Sequence, residues 1–185
     1  VKEKPMPKIL LIISAILFIF AIYIDRLHPA LTYQKLELIT HIEVEKQKRQ
    51  MSVYSDGKLL KTYSISLGGS PIGHKTQEGD SKTPEGEYFI DWIHPNSAYY
   101  KSIRLSYPNP DDKAQALGRG VSPGGDIMIH GMPNGMPNGM PNGLGWKHPW
   151  LTKIDWTEGC IAVSNSAIQE IALAITVGAK VTIRP

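Results

Sequence analysis

Apolar and polar residues alternate along ITHIEVEK, residues 39–46, and a period of two predicts a strand. RQMSVY (49–54) and LLKTYSISLG (59–68) flank Asp56-Gly57, a turn pair that predicts a hairpin. Gly and Pro punctuate residues 68–86, which read as loop. EYFIDWIH (87–94), SIRLSY (102–107) and GDIMIHG (125–131) are further strand-like runs, and the last reaches His130. Near the end the period changes from two to that of a helix. Asn165 or Ser166 caps it, Ile168, Ile171, Ala172 and Ile175 line one face, and Gly178 stops it. KVTI (180–183) returns as a closing strand. Residues 39–185 thus predict one mainly β domain with one or two short helices.

The front of the chain has no such alternation. Ile9–Ile24 is sixteen residues without a charge, proline or glycine. A helix of that length spans about 24 Å, close to the hydrocarbon thickness of a bilayer. Lys2, Lys4 and Lys8 precede it, which keeps the N-terminus cytoplasmic and sends the rest outward. Residues 1–25 therefore read as a single-pass membrane anchor or signal segment. The expected place is the inner (cytoplasmic) membrane, with the main domain on the periplasmic side. A cleaved signal is the rival, although no small-x-small site follows closely. Residues 26–38 read as a linker, in which Pro29 blocks a continuous helix.

Composition narrows the function. Apolar residues make up 42% and charged residues 20%, which describes a folded domain rather than a disordered chain. The net charge is only +3, and no basic stripe interleaved with aromatics occurs. Nucleic acid is therefore not an expected partner.

The chain has a single cysteine, Cys160, inside WTEGCIAV (156–163). A lone thiol is either a small buried hydrophobe or a reactive group. As a nucleophile it needs a base to take its proton. Of six histidines, only His130 ends an apolar strand and is followed at once by glycine, Gly131. Gly159 permits a sharp turn that could aim amide N–H groups at an oxyanion, and the Thr157 hydroxyl could order that turn. A zinc site of His130, His148 and Cys160 fits no compact ligand spacing. No G-x-S-x-G elbow and no papain-type cysteine signature is present.

Between His130 and Thr157 the tetrapeptide GMPN occurs three times, at residues 131–142. It reads either as a duplication tolerated in a surface loop or as a lid over a site.

HG at 130–131 followed by TEGC at 157–160 resembles the signature of the L,D-transpeptidases of the YkuD family: a histidine, a spacer, then Ser/Thr-x-Gly-Cys. Here 26 residues separate His130 from Thr157, and without the three GMPN copies the spacer is 14. SLGGSPIGHKTQEGDSKTPEGEYFI (66–90) resembles the family's block ending in Gly-Asp-x-x-Thr-Pro-x-Gly, and residues 105–131 resemble its approach to the histidine. Glu158 and Ala162 stand where many members carry His and Arg, which resembles an acidic subgroup, some of whose members cut peptidoglycan. An acidic neighbour raises a thiol's pKa unless it points to solvent.

The resemblance implies a β-sandwich catalytic domain with no metal or organic cofactor. It implies Cys160 as nucleophile, His130 as proton donor and acceptor, the Gly159 backbone at the oxyanion, and Thr157 as turn support. Gly131, Trp156 and Glu158 are the implied substrate contacts. The implied substrate is a peptidoglycan stem tetrapeptide that loses D-alanine to give a thioacyl enzyme. An amine acceptor, on a neighbouring stem or on a lipoprotein, makes this a transpeptidase of cell wall biogenesis. Water makes it a carboxypeptidase or amidase. A non-catalytic peptidoglycan-binding module is the alternative from another class.

Overall fold

The computed structural model describes residues 36–134 and 154–185. The apolar stretch 9–24, the second and third GMPN copies, His28 and His148 lie outside them. Among the described residues, no helix is long and apolar enough to cross a membrane.

Eight strands form one sheet in the order β3-β2-β1-β8-β4-β5-β6-β7. The alternating run is β1 (Ile39–Glu45), and the hairpin around Asp56-Gly57 is β2 (Gln50–Ser55) and β3 (Lys58–Ser64). Its turn needs left-handed backbone, which Asp56 and Gly57 supply with φ of 46° and 84°. β4 (Gly86–Ser97) is longer than its apolar pattern and runs on through Pro95 to the tip of a second hairpin with β5 (Tyr100–Leu105). β6 (Met128–His130) and β7 (Ile161–Ala162) are short and parallel, and β8 (Ile175–Arg184) lies between β1 and β4.

The expected β-sandwich takes the form of a single curled sheet. The first part of β4 pairs with β8 and the second part with β5, with a register shift between Ile90 and Trp92. Such an irregularity bends a strand. At the far edge, Ser66 exchanges two 2.9 Å backbone hydrogen bonds with Ala162 of β7, so the chain just beyond β3 meets the last strand. β7 is thereby paired on its outer side as well. Ile42, Val44, Met51, Val53, Ile90, Ile103, Ile129 and Val181 pack the interior.

Two helices complete the domain. α1 (Pro110–Gly118) was not legible in the apolar periodicity, because Asp112 and Ala116 are its buried residues. Its signal is polar: Asn109 caps it, Pro110 opens it, and Asp112 closes a capping box. α2 (Asn165–Ala174) buries Ala167, Ile168 and Ile171, but both expected ends move. Ser164 is the N-cap, freeing Asn165 for another role, and the helix stops at Ala174. Ile175 already belongs to β8, and Gly178 lies inside that strand rather than ending the helix. Pairing with β1 and β4 overrides the helical pattern there.

The Gly-Asp-x-x-Thr-Pro-x-Gly loop is held by charge. The Asp80 carboxylate accepts the Lys75 ammonium at 2.8 Å and the N–H groups of Thr76, Lys82 and Gln77 at 2.7, 3.0 and 3.1 Å. Burial alone would raise its pKa. The Lys75 ammonium and the three N–H groups outweigh that and hold it at about 2, below the ordinary 3.8.

The first GMPN copy is part of the fold. Asn134 caps the β4–β5 tip: its side-chain oxygen accepts from Tyr100 N–H at 3.0 Å, and its amide donates to the Ser97 carbonyl at 2.7 Å.

Two outcomes follow from these contacts. Asp80→Asn should cost about 2 kcal/mol at neutral pH. A depressed carboxylate contributes stability above its unfolded pKa, so the gap to wild type should close as pH falls from 3.8 towards 2. Denaturant melts across that range check this, and a pH-independent gap would refute the clamp. Deleting eight residues of the repeat leaves one GMPN at 131–134, and Tm should move by no more than about 2 °C. A larger drop would show that the extra copies carry structure.

Candidate active site

β6 delivers His130 and the turn before β7 delivers Cys160. Ile129 pairs with Ile161 and His130 with Ala162 in parallel register. Cys160 therefore stands two positions before the partner of His130. Alternation along a strand sends Cys160 and Ala162 to one face, the face of His130. The thiol donates to the Asp126 carbonyl at 3.5 Å, on the segment leading into β6.

The cysteine turn is tied internally. Thr157 is buried, and its hydroxyl donates to the Cys160 carbonyl at 2.7 Å. The same oxygen accepts the Gly159 N–H at 3.2 Å. That amide is thus already engaged, which leaves Cys160 N–H as the turn's candidate oxyanion donor. Gly159 has φ of 126°, and a β-carbon there would stand 2.6 Å from the Lys82 carbonyl oxygen. No L side chain fits that position.

The group that orients the histidine is a carbonyl. His130 is 4% exposed, and its Nδ1 lies 2.7 Å from the Gly131 carbonyl oxygen. A carbonyl only accepts, so Nδ1 carries the proton and Nε2 is the basic nitrogen. Gly131 is itself buried. Its N–H donates to the Lys101 carbonyl at 3.1 Å, and a β-carbon would stand 2.6 Å from Asn165 Oδ1. Asn165 accepts the next amide, Met132 N–H, at 2.7 Å. Gly131 therefore holds the imidazole through its buried backbone.

Two aromatic rings flank the imidazole. Tyr99, at the β4–β5 tip, lies 4.5 Å from it between ring centroids, and Trp156 approaches edge-on at 5.8 Å. Tyr99 has no local sequence signal, because only the pairing of β4, β5 and β6 brings that tip to His130.

Glu158 does not act on the thiol. It is exposed and accepts the Ser81 hydroxyl at 2.6 Å. Burial pushes the Cys160 thiol above its ordinary 9.0; a backbone hydrogen bond at Met128 opposes this, the Asp126 carboxylate adds to the rise, and Lys75 lowers it. Burial also lowers His130 from its ordinary 6.5, with the Gly131 hydrogen bond opposing. Both groups are pushed towards their neutral forms.

The other described histidines are engaged elsewhere. His41 bonds Thr182 at 3.0 Å, His74 meets Glu85 N–H and Asp112, and His94 stacks on Trp92. Among the described residues, no three His, Cys, Asp or Glu side chains converge as metal ligands.

Residues 39–183 match the model of the YkuD family, the L,D-transpeptidase catalytic domain. YafK of Escherichia coli (strain K12), whose name places it with the L,D-transpeptidases, is 33% identical over 97 residues, covering 49% of this chain. The matched stretch spans 37% of that protein's own length. The helical cell shape determining protein Pgp2 of Campylobacter jejuni has a similar structure: TM-score 0.56, 26% identity, 82% of this chain and 51% of that one. Bd1075 of Bdellovibrio bacteriovorus gives a TM-score of 0.52 at 25% identity, over 83% of this chain and 50% of that one. With the family's domain running from β1 to the end of β8, this chain belongs to the YkuD family of L,D-transpeptidase catalytic domains.

Proposed function

We propose that the chain is a peptidoglycan L,D-transpeptidase that works through a thioester on Cys160. The observation that carries this is the parallel pairing of β6 and β7. It puts the thiol's turn beside a histidine whose Nδ1 is committed to the Gly131 carbonyl, leaving Nε2 for the thiol proton.

The thiol first turns from the Asp126 carbonyl to Nε2. Sulfur attacks the carbonyl that joins the third stem residue to D-alanine, and its proton passes to Nε2. The developing oxyanion meets Cys160 N–H. As the C–N bond breaks, imidazolium returns the proton to the departing D-alanine amine. An amine acceptor then attacks the thioester, gives up its proton to Nε2, and releases Cys160. Trp156 and Tyr99 shield the imidazole on the substrate side. Glu158 and Ala162 support reading the chain as a member of the acidic subgroup.

The likeness to Pgp2, a helical cell shape determining protein, supports a role in cell shape. The apolar stretch 9–24 supports anchoring in the cytoplasmic membrane with this domain outside it. A lipoprotein amine is an acceptor open to the same thioester.

A carbapenem should add covalently to Cys160 in the wild type and not in Cys160→Ser, read by intact mass. With purified muropeptides, the wild type should convert tetrapeptide stems into crosslinked tripeptide products and the variant should do neither. Free tripeptides without crosslinks would replace the transferase with a hydrolase, and no adduct at all would favour a binding module.

The neutral pair also sets a pH dependence. With the thiol raised above 9.0, the thiolate fraction should climb about tenfold per pH unit through the neutral range. Iodoacetamide alkylation of the free protein should still be accelerating at pH 9.0. A plateau reached near neutrality would mean a standing thiolate–imidazolium pair instead.

A further inference from the structure

Ser102 sits in the middle of β5, in register with His130 of β6 on one side and His94 of β4 on the other. The Gly131 N–H bond to the Lys101 carbonyl makes Ser102 and His130 a non-hydrogen-bonded pair. In such a pair the Cα atoms come to about 4.5 Å and the side chains lie closest. Both residues are buried, Ser102 at 1% and His130 at 4% exposure. Yet the Ser102 hydroxyl has no hydrogen-bond partner, and no other buried side-chain oxygen or nitrogen among the described residues is left in that state. Evolution tolerates such groups poorly in a core, since alanine or valine would fill the place without the desolvation cost.

The surroundings of His130 suggest what the hydroxyl serves. Tyr99 comes from the β4–β5 tip, Trp156 and Cys160 from the segment before β7, and the Gly131 carbonyl from the residue that follows β6. Asp126 and Lys75 act on the thiol. His94 lies one strand beyond Ser102, stacked on Trp92 at 4.7 Å. Among the described residues, no carboxylate bonds the ring. When Nε2 takes a proton, the positive ring is buried with the Gly131 carbonyl on Nδ1 as its one hydrogen-bond partner among the described residues. A hydroxyl can rotate and present its lone pairs to that charge.

We propose that Ser102 is a positioning residue for the reaction: its hydroxyl stabilises the imidazolium form of His130 during thiol deprotonation. This rests on the Cys160–His130 reading above. The proton moves from Sγ to Nε2, the Nδ1 proton stays on the Gly131 carbonyl, and Ser102 exchanges none.

The test uses the full chain as Ser102→Ala, Ser102→Thr and Ser102→Val, with three readouts. These are ring-carbon NMR titration of His130, assigned by the signal missing in His130→Gln, single-turnover acylation by a carbapenem, and Tm. Ser102→Ala should lower the His130 titration midpoint by about half a pH unit and slow acylation about tenfold, while Tm holds or rises. Thr should restore the midpoint and rate, and Val, its isostere without the hydroxyl, should not. An unchanged midpoint in Ser102→Ala overturns the proposal, as do equal losses in Thr and Val, which would mean packing alone. If the wild type forms no adduct, the catalytic reading falls, and the titration still decides for or against Ser102.

Discussion

At Gly68 a β-carbon would stand 2.1 Å from the Ser81 carbonyl oxygen and 3.0 Å from the Gly159 Cα. Three stretches of backbone meet there at distances no other residue permits: the chain beyond β3, the Asp80 loop and the cysteine turn. This close approach sets where Cys160 stands. Leu67 carries the same junction, since its carbonyl accepts the N–H groups of Trp156 and Thr157 at 3.1 Å each. Its own N–H donates to Asp155, whose carboxylate is gripped by Arg49 at 2.7 Å. Cys160 is mounted on the line where the curled sheet closes, so closing the fold and building the candidate site are one event.

Buried polar groups reinforce that junction. Lys46, 2% exposed, donates to the carbonyls of Gly73 and Thr83 and to Glu85. Thr83 accepts from Gly68 N–H, and Lys75 with Asp80 closes the loop between them. Each such group is costly to bury and stabilising only when its partners are all present. The network therefore specifies one loop geometry rather than adding bulk stability. Ser102 breaks the pattern beside the histidine, which is where unspent polar capacity has chemical use.

The electrostatics favour a poised pair over a charged one. Burial presses the thiol up and the imidazole down, so the proton rests on sulfur. The nearest acidic influence is Asp126, not the sequence neighbour Glu158, whose carboxylate is spent on Ser81 at the surface. On the proposed mechanism, a site that charges only as bonds change would keep a low-dielectric environment for the oxyanion, where each backbone dipole counts for more.

Local order was readable from residues alone. Period-two alternation and the Asp-Gly turn marked β1 to β3, because side chains on a strand must segregate by face. The lone thiol, the strand-end histidine and the flexible glycine before Cys160 marked the chemistry, because each is a residue type suited to it. The start of α2 was readable within a residue or two, but its end was not, since sheet pairing captured Ile175. α1 was hidden because its signal is capping rather than apolar. Tyr99, Ser102 and Asp126 became neighbours of His130 or Cys160 only through strand register, whereas the Gly131 carbonyl is next to His130 in the chain and only its hydrogen bond to Nδ1 had to be found in the structure. Periodicity reports how one segment divides itself between water and core. Register, close backbone approach and burial arise between segments as much as a hundred residues apart, and those decided which groups orient, charge and surround His130 and Cys160.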